Sequence, residues 1–257
     1  MDKKLNIAFI QTSLVWENPE ANRNHFSKKV DSISKDTDLI ILPEMFTTGF
    51  TMSPQNMNPS EGRKTLDWMQ MEARNRKTAL IGSIVFLEDG VYTNRLLFVE
   101  PDGKFSKYDK RHTFTLAGED RVYSSGTKKL IVNYKGFSIC PMICYDLRFP
   151  VWARNTEDYD VLIFVANWPK PRIMAWDVLL RARAIENMAY CVGVNRIGTD
   201  DNGHEYSGHS AVYDCLGEQI VFSDQDEIVY SSLSKGHITF ARNKLKFLED
   251  ADDFKLF

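Results

Sequence analysis

Residues 130–152 read LIVNYKGFSICPMICYDLRFPVW. Up to Cys144 the stretch is apolar and β-branched, interrupted only by Lys135–Gly136. That pattern predicts a hairpin turning at this pair, with its second strand ending at Cys144. After Cys144 the composition changes at once: Tyr145, Asp146, Leu147, Arg148, Phe149 and Pro150 do not read as core. Two thiols, Cys140 and Cys144, therefore share one strand but not one environment. A disulfide between them is excluded in an extended segment, because Cα atoms four residues apart lie beyond the roughly 7 Å limit. A structural zinc site needs four ligands. The five histidines, His25, His112, His204, His209 and His237, stand at no ligand spacing from the pair. Cys140 reads as packed core. Cys144 stands where a strand gives way to a helix, so exposed backbone N–H groups and a positive local field are expected to lower its pKa and to hold an oxyanion.

The surrounding chain repeats this strand grammar. Apolar, β-branched runs at 5–11, 38–44, 78–86, 92–100, 160–167, 189–195 and 227–233 predict strands. The run 210–223 predicts a second hairpin, turning near Leu216–Gly217. Helical patterns occupy 18–34, opened by Asn-Pro, then 60–77 and 172–190. In the last, Ile173, Trp176, Leu180, Ala184 and Met188 form one stripe that reads as core. Strand–helix alternation followed by paired strands predicts an α/β fold with helices outside two packed sheets. No linker divides the chain, so residues 1–257 are read as one domain.

Bulk properties narrow the class. The chain has 257 residues, 43% of them hydrophobic, enough for one large core. A net charge of -3 without a basic patch argues against nucleic acid. The N-terminus MDKKLNIAFIQTS lacks a signal-peptide core, and no run reaches the roughly 18 apolar residues of a membrane span. Four scattered cysteines in such a chain fit a cytoplasmic protein with reduced thiols.

A thiol nucleophile needs a base, and no histidine is singled out by its surroundings. Two other segments supply charge. LPEMFTTGF (42–50) puts Glu44 at a strand end, and KYDKRHTFTLAGED (107–120) holds Lys110 among aromatic residues. Taken singly, Glu44 is equally a turn cap and Lys110 equally a solvated lysine.

Taken in order, Pro-Glu after a strand, Lys in K-Y-D-K-R-H-T-F and C-Y-D-L-R-F-P after another strand, the chain resembles the nitrilase superfamily of carbon–nitrogen hydrolases along nearly its whole length. The resemblance implies a Glu44–Lys110–Cys144 triad, a second glutamate at Glu119, and a four-layer α-β-β-α sandwich. CYDLRFPVWARN, YDVLIFVANWPKPR, LLRARAIENMAYCVGVNRIG and FLEDADDF look like its ω-amidase (2-oxoglutaramate amidase) branch. That branch implies a small dicarboxylic acid monoamide as substrate, no metal or organic cofactor, and a homodimer assembled through helix 172–188 or the C-terminal tail. The backbone N–H of Tyr145 joins Lys110 as oxyanion donor. Arg148 either binds the far carboxylate bidentately or is structural, pairing with Asp146 or capping the strand end. Phe50, Phe114, Tyr145 and Trp168 are candidate pocket walls. His112 reads as a loop hydrogen-bond partner, His209 is given no chemistry, and Cys191 and Cys215 read as core. Rival readings are an amidase for N-carbamoyl amino acids or aliphatic amides, a catalytically silent binding module, and a redox protein using Cys140 and Cys144.

Overall fold

The computed structural model describes residues 2–255; the last two residues of the tail proposed above as an interface part lie outside them. In chain order the elements are β1 (Lys4–Gln11), α1 (Pro19–Ser32), β2 (Leu39–Ile41), α2 (Glu61–Arg76), β3 (Ala79–Glu88), β4 (Val91–Val99) and β5 (Phe105–Asp109). Then follow β6 (Val132–Tyr134), β7 (Phe137–Ile143), α3 (Pro150–Ala153), β8 (Val161–Val165), α4 (Ile173–Asn187) and β9 (Tyr190–Val194). The chain closes with β10 (Ile197–Thr199), β11 (Glu205–Ser207), β12 (Ser210–Tyr213), β13 (Gln219–Ser223), β14 (Glu227–Ser234) and α5 (Lys235–Leu245).

Local chemistry explains the boundaries. Asn18 caps α1 by accepting from the Ala21 N–H at 3.1 Å, with Pro19 at the first helical position. The β6–β7 hairpin turns at Lys135 and Gly136, at φ of 52° and 84°. Both central residues are left-handed, as the twist of a two-residue hairpin requires, and glycine adopts that region without steric cost.

Two six-stranded sheets result, ordered β14-β1-β2-β3-β4-β5 and β13-β12-β9-β8-β7-β6. Period-2 alternation in the first sheet sorts side chains onto its two faces. Leu5, Ile7, Phe9, Leu39, Ile41, Ala79, Ile81, Leu96 and Phe98 face the second sheet and share one core with it. Their neighbours Ala8, Ile10, Ile40, Leu80, Leu97 and Val99 pack instead against Phe26 and Val30 of α1 and Leu66 and Met69 of α2. On the outer face of the second sheet, Trp176, Leu180 and Ala184 of the predicted stripe are buried in α4 and Met188 is buried at its C-cap, while Ile173 is half-buried. Gly193 in β9 permits this approach: a Cβ there would lie 2.4 Å from a Leu180 methyl carbon. The architecture is thus a mixed α/β four-layer sandwich, helices–sheet–sheet–helix. Among the described residues, no helix is long and apolar enough to cross a membrane.

The topology also fixes where a site can form. Strands β1, β2 and β3 run parallel in one sheet, and β7, β8 and β9 run parallel in the other. Their carboxyl ends open into loops, the place where α/β sheets gather functional groups.

Candidate active site

Four separate segments deliver the charged residues. Glu44 follows β2, Lys110 follows β5, Glu119 lies in a 3-10 turn beyond it, and Cys144 opens the 3-10 turn after β7. Glu44, Lys110 and Glu119 are fully or almost fully buried. Lys110 extends the β4–β5 ladder by one rung, its N–H bonding the Asn94 carbonyl at 3.0 Å. The Lys110 ammonium lies 2.9 Å from Glu44 Oε1 and 2.9 Å from Glu119 Oε2. Asn94 Nδ2 ties the two carboxylates together, donating to Glu44 Oε1 at 2.8 Å and to Glu119 Oε1 at 3.2 Å. The second oxygen of Glu44 accepts from the Asn167 N–H at 2.8 Å, and Glu119 Oε2 accepts from the Phe114 N–H at 2.6 Å.

Electrostatics follow from this burial. Desolvation alone disfavours a charged Lys110, but Glu119 and Glu44 outweigh it, and the net shift is upward. The lysine stays an ammonium. Desolvation raises Glu119, opposed by Lys110.

Cys144 has a φ of 43°, a left-handed conformation uncommon for a non-glycine residue. Met45, directly after Glu44, is similarly placed at 42°. Such strain persists only where neighbours enforce it. At Cys144 the neighbour is Asp146. Its buried carboxylate accepts from Ile143 N (3.1 Å), Tyr108 Oη (2.7 Å), His112 N (3.0 Å) and His112 Nδ1 (2.8 Å). A carboxylate only accepts, so His112 carries its proton on Nδ1. Asp146 thereby pins the turn of Cys144 to the loop of Lys110. Among the described residues it does not pair with Arg148.

The thiol itself departs from expectation. Desolvation, then the charge of Glu44, push the Cys144 pKa well up, and Lys110 only partly opposes them. The lowered pKa expected from the strand-to-turn position is therefore reversed: the turn's N–H groups are outweighed by burial beside a carboxylate. Cys144 rests as a neutral thiol beside the Glu44 carboxylate. Cys140 is also pushed up, to about 12, but by burial in the core. All four cysteines are free.

Cys144 and Lys110 lie on the wall of a cavity of about 370 Å³. Phe50, Phe114, Tyr145, Arg148 and Trp168 line it too, so the structure brings together every pocket residue named from the sequence. Phe50 lies under the Lys110 ammonium, 5.1 Å from ring centroid to Nζ, and Arg148 lies 4.9 Å over Trp168. Phe114 meets Tyr145 edge to face at 4.9 Å. Sequence reading missed Asn94, Asn167, Asp146, Arg172 and the β10–β11 hairpin, whose Asp200 and Tyr206 reach the cavity. The N of VANWP and the D of CYDLR stood inside motifs already singled out; Asn94 carried no local signal.

Residues 6–243 match the family model for carbon–nitrogen hydrolases, and the chain belongs to that family. Within the nitrilase superfamily it falls in the omega-amidase branch. It is 43% identical over 256 residues to the omega-amidase YafV of Yersinia enterocolitica, covering 98% of both chains. It is 28% identical over 253 residues to the 2-oxoglutaramate amidase of Bacillus subtilis, covering 96% of this chain and 97% of the other. A solved structure, XC1258 of Xanthomonas campestris, is a CN-hydrolase superfamily protein with an arsenic adduct in its active site. It superposes with a TM-score of 0.95 at 38% identity, over 99% of each chain.

Proposed function

We propose that this enzyme hydrolyses the terminal amide of small dicarboxylic acid monoamides, such as 2-oxoglutaramate and succinamate, through a thioester on Cys144. The observation that carries the reading is one cavity holding a thiol beside a buried Glu44–Lys110–Glu119 cluster together with an arginine, Arg148, free of any carboxylate among the described residues. The catalytic end matches an amide and the cation matches a carboxylate.

The geometry supports the following chemistry. Glu44 takes the thiol proton as Cys144 attacks the amide carbonyl, so the neutral resting thiol is activated only on attack. The charged Lys110 and the Tyr145 N–H, at the start of a turn where N–H groups lack helical partners, hold the oxyanion. Glu44 returns its proton to the departing ammonia, then activates the water that releases the acid. Glu119 fixes Lys110 and keeps it charged. Arg148, stacked on Trp168, presents its planar fork to the substrate carboxylate. We also propose a homodimer through α4, whose Met174, Val178 and Ile185 are exposed apolar side chains.

Ammonia release by wild type and Cys144→Ala tests this on 2-oxoglutaramate, succinamate, an N-carbamoyl β-amino acid and a neutral aliphatic amide. Preference for the first two, lost in the variant, is the expected result. Preference for either of the others keeps the cysteine chemistry and overturns the substrate. No release from any substrate favours a silent binding protein.

A further inference from the structure

The cavity contains a second guanidinium that the mechanism above leaves unused. Arg172 belongs to the 3-10 turn (Lys170–Arg172) leading into α4, a segment distant in sequence from Arg148. It lies 5.1 Å over the Phe114 ring. Like Arg148 it has no carboxylate partner among the described residues. The nearby acids are already committed. Glu44 and Glu119 face Lys110. Asp200 accepts from Tyr206 Oη at 2.8 Å and from the Asn202 and His204 N–H groups, both at 3.0 Å. The cavity therefore holds a carboxylate–ammonium cluster at the thiol and, elsewhere on its wall, two guanidiniums without an ion-pair partner among the described residues.

An aromatic face engages a guanidinium through its plane and leaves the N–H edge free to donate. Two stacked arginines in one small cavity repel each other until acceptor oxygens come between them. We propose that Arg172 is the second arm of a two-arginine clamp. With Arg148 it takes the far carboxylate and the neighbouring oxo oxygen of a 2-oxo acid monoamide. It also selects against amino acid monoamides, whose α-ammonium would meet two cations. The inference rests on the omega-amidase reading and adds to it a residue that sets specificity.

The test uses full-length wild type, Arg172→Met and Arg172→Lys, with ammonia release measured on succinamate, butyramide, 2-oxoglutaramate and glutamine. The readout is a ratio of kcat/KM values, because a purely structural prop for Phe114 would affect all substrates alike. In Arg172→Met the succinamate-to-butyramide ratio is expected to fall about 10- to 100-fold, through KM, as for loss of one charged hydrogen-bonding partner. The glutamine-to-2-oxoglutaramate ratio is expected to rise. Arg172→Lys keeps charge without the fork and is expected to give an intermediate ratio. Ratios unchanged in Arg172→Met, whether all rates fall together or none does, overturn the clamp. A wild type that does not favour succinamate over butyramide overturns the omega-amidase reading itself, and that result is visible before any variant is compared.

Discussion

Replacing Asp146 by Asn probes how Cys144, the proposed nucleophile, is held. The side chain keeps its size, but one carboxylate oxygen becomes an NH2 donor. Oδ2 faces the Ile143 N–H and Tyr108 Oη, while Oδ1 faces the His112 N–H and Nδ1–H. With its NH2 turned to His112 the amide keeps the Ile143 and Tyr108 donors on its oxygen, and the imidazole can move its proton to Nε2 and accept at Nδ1, so one donor, the His112 N–H, loses its acceptor in a buried site. One hydrogen bond to a charged group lost in this way costs about 1.5–3 kcal/mol. For a domain of this size that corresponds to a melting temperature lower by roughly 3–12 °C. The functional effect separates from the stability effect. Asp146 enforces the left-handed Cys144, at φ of 43°, so relaxing the turn moves Sγ away from its attack position. A displacement near 1 Å costs on the order of 100-fold in kcat. Calorimetry and steady-state kinetics, run well below the variant's melting point, provide the assay. The expected outcome is a lowered kcat with little change in KM. A variant that melts with wild type and retains its kcat would refute the account of the turn.

Two further outcomes concern the thiols. Glu44→Gln is expected to abolish hydrolysis. Because the Glu44 charge helps to push the Cys144 pKa up, the same variant should form thiolate at lower pH than wild type, read by ultraviolet thiolate absorbance or alkylation rate. A titration moved upward or unmoved contradicts the proposed electrostatics. Cys140→Ala is expected to keep its catalytic rate and to lose about 1–2 kcal/mol from the vacated core volume. Its folded pKa is raised, so the stability that the thiol contributes is complete below its ordinary value of 9.0 and is lost as pH rises toward about 12. The variant should therefore show a shallower loss of stability across that alkaline range in denaturant titrations. Lost turnover in a folded Cys140→Ala would overturn the assignment of Cys144 as nucleophile.

Short-range physics made much of this protein readable from its residues. Strand β7 and its hairpin announced themselves because alternation and a Lys-Gly turn are local properties. The α4 stripe was legible because one face of a helix repeats at 3.6 residues. Elements whose burial is incomplete were not. FSKYD forms β5, an edge strand with a largely exposed face, and its polar composition carries little strand signal. Helix α5 buries only Ile238 and Ala241, too few to mark a stripe, so no helix is read there from sequence. The short β10–β11 hairpin was hidden in a polar stretch for the same reason.

The order Glu44, Lys110, Cys144 was visible in sequence as a set of motifs, since each residue follows a recognisable strand or loop. Which partners each would meet was not, because that depends on the facing of two sheets. Asn94 reaches both Glu44 and Glu119 only because β4 lies in the same sheet as β2, with β3 between them and β5 on its other side. The Cys144 pKa moved opposite to the reading of its local turn because burial beside Glu44, a residue 100 positions earlier, outweighed the turn's own N–H groups. Arg148 could be proposed from its distance to Cys144 along the chain, whereas Arg172 could not. Periodicity and turn chemistry act over a few residues and are written in the sequence. Charge, desolvation and the shape of a cavity act through space, and only the tertiary structure decides them.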